Sequence, residues 1–240
     1  DWKLSGVPAF EPTDGRFGNK VVVGLGGKEH RQYAAELAEL GFVTIAPAYP
    51  HLADYRPDLE KLGYVSGTMK AIQDNRRALD LLDELAFVHH GRYAAIGHSL
   101  GGHNSMYTAV FDERIKVVVS SCGLDSFRDY MNGNITGWTS IRYMPRLLEY
   151  KGRVEELPVD FPELLGAIAP RTVFISAPTQ DSNFKAASVD RVVANARPVF
   201  ELLGASNALE LVHPEAGHDF PDEIRKKAYE VIAKILPAGE

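Results

Sequence analysis

A serine, a histidine and an aspartate occur in this sequence where nucleophilic chemistry would need them. Ser99 stands in Gly97-His98-Ser99-Leu100-Gly101, with a second glycine at Gly102. That is the G-x-S-x-G spacing of a nucleophile elbow, a strand turning sharply into a helix with the serine at its apex. The run Tyr93-Ala94-Ala95-Ile96 supplies the strand, and Met106, Val110 and Phe111 recur beyond it at roughly helical spacing. Glycines on either side let strand and helix approach closely, while the serine backbone is strained at the turn. The helix beginning beside Ser99 directs backbone N–H groups and the positive end of its dipole at any oxyanion formed there.

A serine hydroxyl is a poor nucleophile until a base takes its proton, and a third group must orient that base. Where such an elbow is used, the chain order is serine, acid, histidine. Far beyond Ser99 the histidines are His213 and His218. His213 lies at the tail of the last strand, directly before Pro214. His218, in Gly217-His218-Asp219-Phe220-Pro221, lies in the loop that can reach back to the elbow, and it is the expected base. The acid belongs in a loop after an earlier strand. Asp181, just past the run 172–176, is favoured, and Asp125, after the run 116–121, is the alternative. Asp190 falls inside a helix, and Asp219 is too close in sequence to His218 to orient its far ring nitrogen. Two backbone donors would complete an oxyanion hole. Leu100 supplies one, and Leu25 or Gly26, in the loop Gly24-Leu25-Gly26-Gly27, should supply the other. Such a site needs no cofactor and no metal.

The elements that must position these residues read as an alternation. Apolar runs at 20–23, 42–46, 93–96, 116–121, 172–176 and 209–212 are expected strands. Tyr33, Leu37 and Leu40 mark one helix, and Met69, Ile72, Leu79 and Leu82 mark the inner face of another over about 66–86. A helix over 186–203 contains Pro198, which is expected to kink or split it. Ile224, Ala228, Val231, Ile232 and Ile235 stripe a closing helix. Continuous apolar strands between helices predict a doubly wound, mostly parallel α/β sheet. Residues 124–168 are too long for a simple crossover and carry Phe127, Tyr130, Trp138, Tyr143, Met144, Tyr150 and Phe161. They read as a small cap over the C-terminal edge of the sheet, where ligands of open α/β sheets bind. The whole chain, 1–240, is expected to be one domain.

Composition excludes several classes. The 240 residues, 45% of them hydrophobic, can bury a sizeable core, yet no apolar run approaches the roughly 20 residues of a membrane span. A net charge of -6, with both signs interspersed, gives no reason to expect nucleic acid. The single cysteine, Cys122, rules out an internal disulfide and a cysteine metal cluster, and it reads as a buried strand thiol. No signal peptide is visible at Asp1, so a soluble protein is expected, either bacterial-type cytoplasmic or secreted with its signal removed. Oligomeric state is not indicated.

Gly97-His98-Ser99-Leu100-Gly101-Gly102-His103-Asn104, Asp181-Ser182-Asn183-Phe184 and Gly217-His218-Asp219-Phe220-Pro221 together resemble serine esterases of the dienelactone-hydrolase-like branch of the α/β-hydrolases. Those acting on acetyl xylan look closest. Asn134-Ile135-Thr136-Gly137-Trp138-Thr139 and Arg142-Tyr143-Met144-Pro145-Arg146 add to the likeness, which spans about residues 25–236. Dienelactone hydrolases proper carry cysteine as nucleophile, and position 99 is serine. The resemblance implies a carboxylic ester hydrolase acting on small, acetyl-type esters, with a small-molecule or carbohydrate ester as partner. His98, His103, Trp138 and Tyr143 are the candidate substrate contacts, and Arg142, Arg146, Lys151 and Arg153 could meet an acidic substituent. The rival readings are a prolyl-oligopeptidase-like serine peptidase and a non-catalytic protein on the same fold.

Overall fold

The computed structural model describes residues 33–52 and 55–237. The expected strand at 20–23 and the loop with Leu25 and Gly26 lie outside the described residues.

Four strands, β1 (Tyr93–His98), β2 (Ile115–Ser121), β3 (Thr172–Ser176) and β4 (Leu209–Val212), form one parallel sheet in sequence order. Side chains alternate between its two faces. Val117, Val119 and Phe174 pack with Leu37 of α1 (Tyr33–Glu39) and with Ala228, Tyr229 and Ile232 of α6 (Asp222–Ile235). Val118, Val173 and Ile175 pack on the opposite face. There they meet the layer built from α2 (Gly67–Asp83), α3 (Leu100–Phe111), α4 (Phe161–Ile168) and α5 (Ala186–Leu202). Both faces are covered, which is why the strands are apolar at successive positions. Phe161, Phe174, Phe200 and Phe220 are fully buried, each contributing about 1.5–3 kcal/mol of transfer free energy.

The strands end in step. His98 pairs with Ser121, Ser121 with Ser176, and Ser176 with Val212, one row across the sheet. The ladder then runs one residue further, as Ser99 N–H donates to Ser121 O, Cys122 N–H to Ser176 O, and Ala177 N–H to Val212 O. The segments leaving β1, β3 and β4 therefore emerge side by side at one edge.

Several expectations need adjustment. Residues 42–46 pair with no described strand, although Phe42 and Ile45 still pack on the core. The strand expected at 20–23, a candidate neighbour, lies outside the described residues. Helix α2 starts at Ser66, whose hydroxyl accepts from Met69 N–H, and it buries Thr68, Ala71, Ile72, Ala78, Leu79 and Leu82. Met69, expected inside, is half exposed because the buried stripe passes through Thr68 and Ile72. Helix α5 runs unbroken through Pro198. Between β2 and β3, residues 130–156 form four short 3-10 turns. Helix α4 then starts at a capping box of Asp160 and Glu163 and packs with α3 and α5.

Close packing at the β1–α3 junction depends on absent side chains. A Cβ at Gly97 would lie 2.2 Å from Gly101 O, whereas one at Gly101 would meet only Tyr33 Oη at 3.9 Å. Gly97→Ala is expected to cost about 1–3 kcal/mol, lowering the thermal midpoint by about 2–12 °C. Gly101→Ala should leave it nearly unchanged. Equal midpoints in calorimetry would refute this account of the junction.

Candidate active site

Ser99 is the single residue between β1 and α3, at φ 52 and ψ -117. A non-glycine residue at positive φ is costly and persists where its surroundings over-determine it. Here its N–H is fixed to Ser121 O at 2.7 Å, and its carbonyl accepts from His103 N–H in the first turn of α3. Leu100 opens α3, so its amide has no acceptor four residues back within the helix. An acceptor at the head of α3 would find that amide without an intrahelical partner.

His218 Nε2 lies 2.8 Å from Ser99 Oγ, and His218 Nδ1 lies 2.8 Å and 3.0 Å from the two carboxylate oxygens of Asp181. With Nδ1–H donated to Asp181, Nε2 is left to accept the serine proton. The loops carrying both partners are tied together, as Thr179 N–H donates to Pro214 O and Gln180 N–H to Ala216 O. The Asp181 side chain is almost wholly buried. Burial pushes its carboxyl up, but the His218 hydrogen bond and the amides of Asn183 and Phe184 outweigh that and hold it below the usual carboxylate range. The Asp181 contribution to the fold is expected to be lost on acidification.

The other candidates fall elsewhere. Asp125 is buried, accepts from Lys185 N–H at the start of α5, and is pushed up by burial. His213 bonds Ala177 O and Asp190. His98, expected among the substrate contacts, bonds Ser121 Oγ and packs edge-on against the His218 ring, behind the cleft rather than in its wall. His103, Trp138 and Tyr143 do line the cleft beside Ser99 and Leu100, together with Tyr130, Gly137, Asn183 and Phe184. The cations proposed for an acidic substituent do not line it. Arg142 donates to His51 O, and Arg153 is paired with Glu156. Asn183 and Phe184 were visible only as part of a motif. Two and three residues past Asp181, their amides reach its carboxylate, and both residues also line the cleft.

Among the described residues, His98, Cys122 and His218 lie within metal-ligand spacing of one another. Both ring nitrogens of His218 are already committed to Ser99 and Asp181, and the Cys122 thiol donates to Asp219 O. The cluster therefore suits a hydrogen-bonded wall better than a resident ion. No described helix is long and apolar enough to cross a membrane.

Asp181→Asn should lower stability at pH 7 by about 1–3 kcal/mol, the worth of a hydrogen bond to a charged group. The folded carboxyl titrates below its unfolded value of 3.8, so its contribution is fully present above that value and fades as pH falls through the folded one. The gap in thermal midpoint between wild type and variant should therefore narrow from pH 7 to pH 3. A gap that stays constant or widens would contradict the assignment.

The model for fungal glucuronyl esterases matches residues 67–204, more than half of the chain. A hydrolase of Bacillus subtilis, YtaP, is 27% identical over 213 residues, covering 85% of this chain and 68% of its own length. Among solved structures, a glucuronoyl esterase from Solibacter usitatus superposes with a TM-score of 0.63 at 21% identity, over 81% of this chain and 54% of that one. A carbohydrate esterase family 15 glucuronoyl esterase from Caldicellulosiruptor kristjansonii superposes with a TM-score of 0.64 at 20% identity, over 80% and 54%. The chain thus spans about half the length of the solved structures it matches. At these identities the likeness is one of fold, and that fold is the α/β-hydrolase fold. With the family model covering both the elbow and the Asp181 loop, the chain belongs to the glucuronyl esterase family, serine esterases of the α/β-hydrolase superfamily.

Proposed function

We propose that the protein hydrolyses carboxylic esters of carbohydrates, with Ser99 as nucleophile, His218 as general base and then acid, and Asp181 as the group that orients and stabilises His218. The observation that carries this reading is the unbroken hydrogen-bond chain from Asp181 through His218 to Ser99, at 2.8 Å on each side of the imidazole. Residues with no shared task rarely fall into that arrangement. Family membership and the names of the relatives, glucuronoyl and carbohydrate esterases, support the substrate class.

In this reading His218 Nε2 takes the Ser99 proton as Oγ attacks the ester carbonyl. The Leu100 amide, at the head of α3, donates to the oxyanion. The imidazolium, held by the ionised Asp181, protonates the departing alcohol, and water repeats the sequence on the acyl-enzyme. The cleft is walled by Tyr130, Trp138, Tyr143 and Phe184, which favours a small acyl group or a flat sugar face over a long alkyl chain. Residues 130–144 then act as the cap's contribution to the site.

Hydrolysis of 4-nitrophenyl acetate, butyrate and octanoate should fall with chain length. Ser99→Ala should lose about a thousandfold or more in kcat with its circular dichroism unchanged. A folded wild type inert on every ester, or a variant that keeps its activity, would overturn the reading.

A further inference from the structure

Two adjacent residues at the end of β2 touch the supports of both Ser99 and His218. Ser121 O accepts the Ser99 N–H at 2.7 Å, which fixes the elbow. Ser121 Oγ lies 3.1 Å from His98 Nδ1, and the His98 ring packs against the His218 imidazole with centroids 4.8 Å apart. Cys122 follows, one residue past the strand and at φ 47. Its backbone N–H donates to Ser176 O, and its thiol donates to Asp219 O at 3.3 Å, directly after His218. Ser99 and Cys122 thus each follow the last residue of paired strands, and both stand at positive φ. Such backbone strain persists where the surroundings demand it, and it concentrates at functional sites.

The backbone around His218 is tied on both sides. Before it, Gln180 N–H donates to Ala216 O. Asp219 N–H donates to Gly217 O at 2.7 Å, a tight turn with His218 at its centre. After it, Arg225 donates to Phe220 O at 2.8 Å, and the thiol holds Asp219 O. Gln180 fastens the loop to the segment carrying Asp181, and Arg225 fastens it to α6. Among these bonds, the one from Cys122 ties the loop to the strand beside the elbow. A buried cysteine often serves as a small apolar filler. Filling alone would require neither the strained backbone nor a donor placed on the carbonyl next to His218.

We infer that Ser121 and Cys122 form a spacing element that sets the distance between Ser99 and His218. Cys122 is a positioning residue acting through the Asp219 carbonyl, and Ser121 acts through its own carbonyl and through His98. This rests on the proposed function for the roles of Ser99 and His218. The thiol makes and breaks no bond with substrate. What the position needs is a hydrogen-bond donor of that reach, so serine should stand in for cysteine where alanine cannot.

The test compares Cys122→Ala with Cys122→Ser on 4-nitrophenyl acetate, with active sites counted from the burst of 4-nitrophenol. A misplacement of about 1 Å can cost about a hundredfold in rate, and a fraction of that shift is expected here. Cys122→Ala should therefore lose about tenfold in kcat with KM within about twofold, and Cys122→Ser should recover most of the loss. The second readout needs no turnover. It is the low-field proton resonance of His218 Nδ1–H, assigned by its loss in His218→Gln. That resonance should shift or broaden in Cys122→Ala and return towards its wild-type position in Cys122→Ser. Unchanged kcat or an unmoved resonance in folded Cys122→Ala, or equal losses in the two variants, would overturn the assignment. Should Cys122→Ala fail to fold, Ser121→Ala removes the hydroxyl facing His98 and keeps the carbonyl that holds Ser99. It should lower kcat about threefold, the rate equivalent of one neutral hydrogen bond, and no change there would equally overturn the assignment. Failure of the nucleophile reading shows separately, as 4-nitrophenyl acetate hydrolysis surviving in Ser99→Ala, while the His218 resonance still tests the spacing element.

Discussion

The chain must leave a buried parallel strand and enter a helix within one residue, and that residue is Ser99 at φ 52. Much of the site's architecture can be traced to making this turn tolerable. Gly97 lets the first turn of α3 lie against the end of β1, and Gly102 lets the same helix pass Gly123 beyond β2. The bond from Ser99 N–H to Ser121 O then locks the turn to the neighbouring strand. Strain of this kind survives only in surroundings that leave no alternative, and here the fully buried valines of β2 provide them. The result is a hydroxyl held at the apex of the edge and a helix N-terminus aimed at the same point.

The common ending of the four strands does the rest of the positioning. Because His98, Ser121, Ser176 and Val212 share one row, the loops after β3 and β4 rise beside the elbow rather than at different heights. Thr179 and Gln180 fasten the Asp181 loop to the His218 loop through backbone bonds. Burial by itself pushes the Asp181 carboxyl up. The imidazole and two amides together outweigh the desolvation cost, and the same contacts aim the carboxylate at Nδ1. Stability of the loop and orientation of the imidazole are thus one interaction seen from two sides.

The segment between β2 and β3 divides into two parts with different tasks. Near its end lies α4, an ordinary core helix whose Phe161, Leu165 and Ile168 are fully buried. Its earlier part, short 3-10 turns rather than regular helix, brings Tyr130, Trp138 and Tyr143 against α3 and narrows the cleft beside Ser99. Among the described residues that wall is aromatic and carries no charged side chain, and burial keeps its histidine neutral.

The amino-acid sequence by itself determined the elements and the chemistry each could carry. Strand and helix periods, the Gly-x-Ser-x-Gly spacing and the serine, acid, histidine order are local or one-dimensional properties, and they survive without coordinates. Even so, Met69 faces outward, and residues 42–46 pair with no described strand. Apolar character marks what can be buried, while the phase of a helix and the presence of a neighbour decide what is. Only tertiary structure could separate Asp181 from Asp125, because both follow strands and only the register of β3 and β4 brings one of them to His218. Likewise only packing shows, among the described residues, His103 and Trp138 with unpaired nitrogens and His98 turned away behind the cleft. Whether a polar atom finds a partner depends on contacts between residues far apart in the chain.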